Sequence, residues 1–317
     1  MKIIAIENFG LTLDQIKQLA DRFVALGHTF TFFETRSEDE NTICNRIKEA
    51  EIIIVSTIRI TEKMILSSPN LKMIDVAFTG CDHIPLQFCR QKNIMVCNCA
   101  GYSTRAVSEL AICLMIDVLR KITYLDEEIR CGNGRNGFLG RELSGKTVGI
   151  IGTGAIGLNT ARILQAFGCN VFAYNRSENP KALELGIKYL KLEELLAVSD
   201  IVSIHTPLTP QTQNLIGENE LKLMKPTAIL INTARGGVVN QEALARALDS
   251  RKIAGAGLDV FDKEPPLPVD HVLLTASHTV VVPHIGYATQ EAISDRAEIV
   301  EANILEFLKG TPTNLVR

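Results

Sequence analysis

The sequence lacks the features that mark membrane-bound, secreted or nucleic-acid-binding proteins. Its apolar runs are all too short to span a membrane, and the first residues, MKIIAIENFG, have neither the length nor the cleavage pattern of a signal peptide. The formal charge of -3 gives no reason to expect a nucleic acid or a membrane surface as partner. With 317 residues, 46% of them hydrophobic, we expect a cytoplasmic protein of two globular domains.

Closely spaced pairs of cysteines are also missing. The eight cysteines are scattered, with no C-x-x-C pair, and several lie in apolar segments where a free thiol behaves as a small hydrophobe. Cys97 and Cys99 would point to opposite faces of one strand, so neither a disulfide nor a metal site is favoured there. We therefore expect reduced thiols and no bound metal.

The clearest motif runs from Lys146 to Ser177 in the order strand, glycine turn, helix, strand. Gly152, Gly154 and Gly157 give the pattern G-x-G-x-x-G between an apolar strand and a run with helical spacing. The first glycine permits a tight turn, the second lets the backbone approach a pyrophosphate, and the third lets helix and strand pack closely. An ordinary strand-to-helix turn is the alternative. The complete context favours nucleotide binding, with the anion at the helix N-terminus.

The end of the second strand in this motif departs from the form that binds NAD. That form carries an acidic residue that accepts hydrogen bonds from the ribose, whereas this chain has Asn175, Arg176 and Ser177. Arg176 can pair with a 2′-phosphate, flanked by Asn175 and Ser177 as neutral donors, so we predict a preference for NADP over NAD. The alternative is that Arg176 stacks on the adenine or points into solvent and that NAD is used.

Apolar runs alternate with amphipathic helices along most of the chain, which predicts an α/β protein with parallel sheets covered on both faces. KIIAI, TFTFF, IIIVST, MIDVAF and IMVCN are the strands expected before residue 100. IVSIHTP, AILINTA, GAGLDVF and TVVVPHI continue the alternation after the glycine motif, and KYLKLEELLAVSD, which directly precedes the first of them, is predicted to be helical.

The same patterns predict the domain boundaries. The long helix expected over 289–308 should cross back to the first domain, which would then comprise residues 1–99 and 287–317. The second domain would comprise residues 100–286. Its charged, glycine-rich segment at 120–142 is predicted to be an exposed arm that pairs two subunits, the alternative being a disordered loop.

Three polar side chains follow successive strands of the predicted second sheet. Arg235 follows AILINTA, Glu264 follows GLDVF, and His284 follows TVVVP. Ligands of open parallel sheets bind beyond the carboxyl ends of the strands. Each residue alone is more often a surface ion pair, a solvated loop residue or a bystander. Together, and downstream of a dinucleotide motif, they suit a 2-keto acid, with a fork for its carboxylate, a proton donor for its carbonyl and an acid beside that donor.

The chain resembles the D-isomer-specific 2-hydroxyacid dehydrogenase family along almost its whole length. The matching segments are GTGAIG, HTPLTPQTQNLIGENELKLMKPTAILINTARGGVVNQEAL, GLDVFDKEPP and PHIGYAT. This resemblance implies a flavodoxin-like substrate domain and a Rossmann-like NAD(P)-binding domain around a cleft, usually in a dimer that exchanges an arm. It also implies hydride transfer between NAD(P) and a small 2-keto or D-2-hydroxy acid.

The resemblance also implies roles for individual residues. Arg235 should bind and polarise the keto acid, His284 should act as general acid and base, and Glu264 should orient His284. Thr79 and Gly80 should offer backbone N–H groups to the substrate carboxylate. Asp259 should lie near the nicotinamide carboxamide, in a set of cofactor contacts that comprises Ala155, Ile156, Thr206, Pro207, Thr233 and Asp259.

Finer resemblances suggest the substrate. AFTGCDH and NCAGYST resemble glycerate dehydrogenases, and the NRS segment is similar to that of NADP-using glyoxylate and hydroxypyruvate reductases. Because the sequence stops at Arg317, we expect no C-terminal extension like that of long phosphoglycerate dehydrogenases, and VSTIRIT offers Arg59 as its single cation. A small unphosphorylated acid is therefore expected. The alternatives are a non-catalytic, dinucleotide-sensing corepressor-like protein and a dehydrogenase acting on formate or phosphite.

Overall fold

The computed structural model describes residues 1–263 and 266–316, which form two compact units. One unit comprises Met1–Ser103 with the C-terminal segment that begins at Ala288, and the other comprises Thr104–Tyr287. Each unit contains one parallel sheet, of five and seven strands respectively. The predicted α/β class with two parallel sheets is confirmed.

The sheet of the first unit has the strand order β2-β1-β3-β4-β5, which is the order of flavodoxin-like folds. The central strands β3 and β4 are buried along their whole length, because helices cover both faces of a parallel sheet. The strands are β1 Lys2–Ala5, β2 Thr29–Phe32, β3 Ile52–Val55, β4 Met73–Val76 and β5 Met95–Asn98, and the first four helices are α1 Leu13–Ala25, α2 Glu40–Ile47, α3 Glu62–Leu66 and α4 Leu86–Gln91.

The sheet of the second unit has the order β12-β11-β10-β9-β6-β7-β8. This is the Rossmann order with one strand added, and the order reverses direction between β6 and β9, where such folds bind dinucleotides. The strands are β6 Thr147–Ile151, β7 Asn170–Tyr174, β8 Lys188–Tyr189, β9 Ile201–Ile204, β10 Ile229–Asn232, β11 Gly255–Leu258 and β12 Thr279–Val281.

The helices of the second unit begin with a long one that is buried on more than one side, as its wide apolar stripe predicts. They are α5 Thr104–Arg120, α6 Ile122–Arg130, α7 Ala155–Ala166, α8 Pro180–Glu184, α9 Leu192–Val198, α10 Glu218–Leu223, α11 Gln241–Asp249 and α12 Val272–Thr275. The last helix of the chain, α13 Gln290–Leu308, belongs to the first unit, where its buried residues lie against β4 and β5.

Two segments differ from the sequence expectation. Lys188 and Tyr189 form the short strand β8 rather than the start of a helix, because Tyr189 pairs in parallel with Ala173 of β7. The following helix therefore begins only at Leu192. In the segment predicted as an exposed arm, Ile122–Arg130 is helical and none of its residues is buried.

Helix starts follow capping residues that the sequence supplies. The side chain of Thr12 accepts a hydrogen bond from the N–H of Gln15 at the start of α1, and Oε1 of Gln15 accepts one from the N–H of Thr12. Thr289 caps α13 in the same way through the N–H of Ala292. Each such cap satisfies an N–H group that the first helical turn leaves unpaired.

Within the described ranges, no helix combines the length and apolar character needed to cross a membrane, and no cluster of histidine, cysteine and acidic side chains is arranged to hold a metal ion. All eight cysteines are free thiols.

A polar network lies at the centre of the first unit. Asp75 on β4 is fully buried, and its Oδ1 accepts a hydrogen bond from Nδ2 of Asn303 at 2.8 Å. Asn303 also donates to the carbonyl oxygen of Asn98 and accepts from Nδ2 of Asn314. The second carboxylate oxygen has no hydrogen-bond partner in the described part of the chain. Burial therefore raises the pKa of Asp75 to about 7.

We expect the Asp75→Asn substitution to change how stability depends on pH. Because the folded-state pKa of Asp75 lies above that of an unfolded chain, the protonated carboxyl stabilises the fold at low pH, and this contribution is lost as the pH rises through about 7. The stability of the variant relative to the native protein should therefore rise between pH 4 and pH 8, by up to about 4 kcal/mol. Urea unfolding across this range measures the difference. Asp14→Asn, at an exposed position of α1, is the control, and a pH-independent difference for Asp75→Asn would contradict the account.

Candidate active site

The glycine turn leaves the N-terminus of α7 open for an anion. Gly152 has φ +98°, and a Cβ on Gly157 would lie 2.0 Å from the carbonyl oxygen of Gly152, so only glycine allows this packing. A Cβ on Gly154 would meet no atom within 4 Å, which shows open space beside the turn. No side chain caps α7 at Gly154. The first N–H groups of the helix therefore face a space that fits a pyrophosphate.

A cavity of about 470 Å³ lies against this turn, at the carboxyl ends of β6, β7 and β9. Six predicted cofactor residues line it, namely Gly152, Gly154, Asn175, Ser177, Thr206 and Pro207. Arg176 is exposed and does not line it, and neither do Ala155, Ile156 or Gly157. The cavity places the glycine turn and the end of β7 beside one space, as a dinucleotide requires.

Sequence reasoning missed several residues of this cavity. Glu178, Asn179 and Pro180 line it in the turn after β7, and His205 lines it after β9. The Asn-Pro pair is a helix-start signal that would have placed α8 here. The sequence did not indicate that Glu178 lies in the cavity wall, because its position there depends on the path of the turn after β7.

Burial keeps His205 neutral. Burial lowers its pKa to about 4, its Nε2 pairs with Oγ of Ser203 at 2.9 Å, and its Nδ1 has no partner among the described residues. At neutral pH this side chain is a neutral imidazole, so it has no acidic imidazolium proton to release in an acid–base reaction and no positive charge for a phosphate.

Buried Asn232 fixes the position of Arg235. Asn232 ends β10, and its Nδ2 donates to the carbonyl oxygen of Arg235 while its Oδ1 accepts from the N–H of Ala234, both at 3.0 Å. The following Gly236 touches the next loop, because a Cβ there would lie 1.9 Å from the carbonyl carbon of Phe261. The loops after β10 and β11 are thus packed backbone to backbone beside Arg235.

Asp259 holds the segment that carries His284. Asp259 is 1% exposed, and its carboxylate accepts hydrogen bonds from the N–H groups of Ile285 at 2.6 Å and Gly286 at 2.9 Å. His284 has φ +55°, a conformation that is uncommon outside glycine. Its ring lies edge-on to Tyr287 with the centroids 5.7 Å apart. These two hydrogen bonds are with the protein backbone, whereas the role predicted for Asp259 concerned the nicotinamide.

The remaining predicted residues lie elsewhere. Thr233 is 7% exposed after β10, and its hydroxyl has no partner within the described residues. Glu264 lies outside the described residues. Thr79 and Gly80 belong to the first unit, after β4, where Nδ2 of Asn98 donates to the carbonyl oxygen of Thr79 at 2.7 Å.

We expect the Gly236→Ala substitution to destabilise the second unit. A methyl group within 2 Å of the Phe261 backbone forces one of the two loops to move, which should lower the free energy of unfolding by about 1 to 3 kcal/mol. Gly237→Ala is the matched control, since the nearest atom there is a side-chain methyl of Leu208 at 3.2 Å that can rotate away. Chemical denaturation measures both. Equal effects of the two substitutions would contradict the close packing of the loops.

Comparison with known proteins shows similarity along the whole chain. The family model described as D-isomer specific 2-hydroxyacid dehydrogenase, NAD binding domain, matches residues 112–286. A glyoxylate reductase from Thermococcus litoralis is 39% identical over 294 residues, covering 89% of this chain and 88% of that protein. A hydroxypyruvate reductase from Blautia hydrogenotrophica is 31% identical over 323 residues, covering 100% of this chain and 99% of that protein.

A solved structure is similar to this chain along its whole length. An acyclic imino acid reductase in complex with NADPH and D-Arg has a TM-score of 0.90 and 31% identity, with 100% of both chains covered. The open glycine turn and the cavity beside it fit a nicotinamide dinucleotide. The chain thus belongs to the D-isomer-specific 2-hydroxyacid dehydrogenase family, whose members are oxidoreductases that use a nicotinamide dinucleotide to interconvert 2-keto and D-2-hydroxy acids.

Proposed function

We propose that this enzyme reduces glyoxylate or hydroxypyruvate with NADPH. The observation that carries the proposal is the similarity over most of the chain to relatives named glyoxylate reductase and hydroxypyruvate reductase. VSTIRIT in the first unit contributes only Arg59 as a cation, which suits a substrate without a phosphate group. In this proposal the first unit is the substrate domain and the second the nucleotide-binding domain.

The proposed mechanism assigns binding and proton transfer to separate groups. In the first unit, the N–H groups of Thr79 and Gly80 donate to no protein acceptor in the described part of the chain, so they are available to a substrate carboxylate. In the second unit, Arg235 binds and polarises the keto acid through its planar guanidinium. When bound, the reduced nicotinamide supplies the hydride. Arg235 thus stabilises the negative charge that develops on the carbonyl oxygen.

His284 is the proposed proton donor to that oxygen. Arg235 and His284 follow β10 and β12, two parallel strands on either side of β11, so both emerge at one edge of the sheet. His205, which follows β9, is kept neutral by burial, so it lacks the imidazolium proton that a general acid would release. Glu264 is proposed to orient His284, as its position in the family motif implies. General acid catalysis of this kind contributes roughly 10² to 10⁴-fold.

The hydroxyl of Thr233 and the N–H groups of Ala155, Ile156 and Gly157 are the proposed donors to the dinucleotide. The buried hydroxyl lacks a protein partner within the described residues, and a buried polar group of this kind needs one. Asp259 is proposed to contact the nicotinamide carboxamide, as its position in the family motif implies, while it holds the His284 segment.

A homodimer is also proposed, with the segment at 120–142 as the contact. Helix α6 has no buried residue, and it exposes Ile122, Tyr124 and Ile129 on its surface. Apolar side chains exposed along one helix are typical of a surface that pairs with a partner. A monomeric mass by light scattering at micromolar concentration would contradict the dimer.

The substrate is tested by measuring kcat/KM with NADPH for glyoxylate, hydroxypyruvate, pyruvate, phosphohydroxypyruvate and longer 2-keto acids. We expect the highest values with one of the first two, because neither carries a phosphate nor a bulky side chain. The hydroxy acid formed from hydroxypyruvate should be the D isomer. A clear preference for the phosphorylated acid or for a longer one would overturn the proposed substrate while leaving the family unchanged.

Cofactor choice is tested with two substitutions that should change the affinity for NADPH in opposite directions. Arg176 is exposed next to the cavity, and its pairing with a 2′-phosphate is the basis of the proposed NADP preference, whereas the carboxylate of Glu178 in the cavity wall repels that phosphate. Arg176→Gln should weaken NADPH binding by about tenfold, and Glu178→Gln should strengthen it, with smaller effects on NADH. Calorimetric titration with both cofactors measures the change. If Arg176→Gln binds NADPH like the native protein, Arg176 does not select the cofactor.

A further inference from the structure

The hydroxyl of Tyr189 connects the glycine turn to the turn that follows β7. It donates a hydrogen bond to Oγ1 of Thr153 at 2.8 Å and accepts one from the backbone N–H of Asn179 at 2.9 Å. Thr153 stands between the first two glycines of the motif and is 2% exposed. Tyr189 itself lies in the edge strand β8, which pairs with β7 alone. One phenol group therefore satisfies a polar atom on each of the two turns.

Asn179 strengthens the same connection. Its Nδ2 donates to the carbonyl oxygen of Thr153 at 2.7 Å, and its Oδ1 accepts from the N–H of Lys181 at 3.0 Å, which caps α8. Pro180 at the first position of that helix has no N–H to satisfy. The start of α8 is thereby fixed to the glycine turn by the side chain that begins the helix.

These contacts hold residues 175–179, which we call the ribose segment, at both ends. At its start, the N–H of Gly152 donates to the carbonyl oxygen of Tyr174 at 2.9 Å. At its end, Asn179 and Tyr189 both reach Thr153. Between these ends, the segment contributes Asn175, Ser177 and Glu178 to the cavity wall. The distance from the glycine turn to the ribose-facing groups therefore depends on the contacts at Thr153.

We propose that Tyr189 is a positioning residue for the dinucleotide. It sets the separation between the groups that receive the pyrophosphate and those that face the adenosine ribose, and it does so without touching the reacting atoms. Its effect is thus on affinity for the adenosine half of the cofactor and not on hydride transfer. The inference rests on dinucleotide binding at the glycine turn, and it does not depend on which keto acid is reduced.

The Tyr189→Phe substitution tests this role. It keeps the ring but removes the hydroxyl that bonds to Oγ1 of Thr153 and to the N–H of Asn179. The ribose segment therefore loses the connection to the glycine turn that Tyr189 provides. We expect the Kd for NADPH and for adenosine 2′,5′-bisphosphate to rise by about tenfold, measured by calorimetry. The kcat at saturating NADPH and the KM for the keto acid should stay within about twofold of the native values.

Thr275→Val, which removes a hydroxyl from an exposed threonine of α12, is the control and should change none of these quantities. Thermal unfolding of Tyr189→Phe separates positioning from simple support of the fold. A lower unfolding temperature with both Kd values unchanged would overturn the proposal, and so would a loss of kcat with unchanged Kd. Calorimetry requires no substrate, so a wrong keto-acid proposal would leave this test intact.

Discussion

The arrangement of the second unit depends on buried polar side chains that hold the loops beyond its strands. Asp259 is the clearest case, because its carboxylate accepts hydrogen bonds from two successive N–H groups and so holds the segment on which His284 adopts a positive φ. A buried carboxylate is tolerable only when donors surround it, and a strained backbone persists only when its surroundings fix it. The hydrogen bonds of Asp259 with the N–H groups of Ile285 and Gly286 meet both requirements. Asn232 holds Arg235 in a similar way, because its side chain bonds to the N–H of Ala234 and to the carbonyl oxygen of Arg235.

The parallel sheet explains why these buried polar side chains lie close to the proposed catalytic residues Arg235 and His284. Every strand of a parallel sheet ends at the same edge, so the loops after β6, β7, β9, β10, β11 and β12 emerge together. The loops after β6, β7 and β9 form the cavity beside the glycine turn, and those after β10, β11 and β12 carry Arg235, Asp259 and His284. A polar side chain also holds a loop in the first unit, where Nδ2 of Asn98, at the end of β5, donates a hydrogen bond to the carbonyl oxygen of Thr79 after β4.

The sequence was sufficient for features that depend on local pattern. The glycine turn, the strands before Arg235 and His284, and α13 each follow from periodicity and turn residues, and all were predicted. Strand β8 was not, because two residues are too few to show a period and the strand exists only through its pairing with β7. Tyr189 was missed for a related reason, since it meets Thr153 across 36 positions of sequence. The backbone contacts of Asp259 likewise depend on tertiary packing that no motif encodes.

We propose that His284, in the segment that Asp259 holds, gives the proton that accompanies reduction of the keto acid. Single-turnover oxidation of bound NADPH by excess glyoxylate or hydroxypyruvate, compared between the native enzyme and His284→Asn, tests it most directly. We expect a fall of at least about 10²-fold in the rate of hydride transfer, with the Kd for NADPH unchanged. A rate within a few-fold of the native value would show that another group supplies the proton, and the assignment of His284 would be wrong.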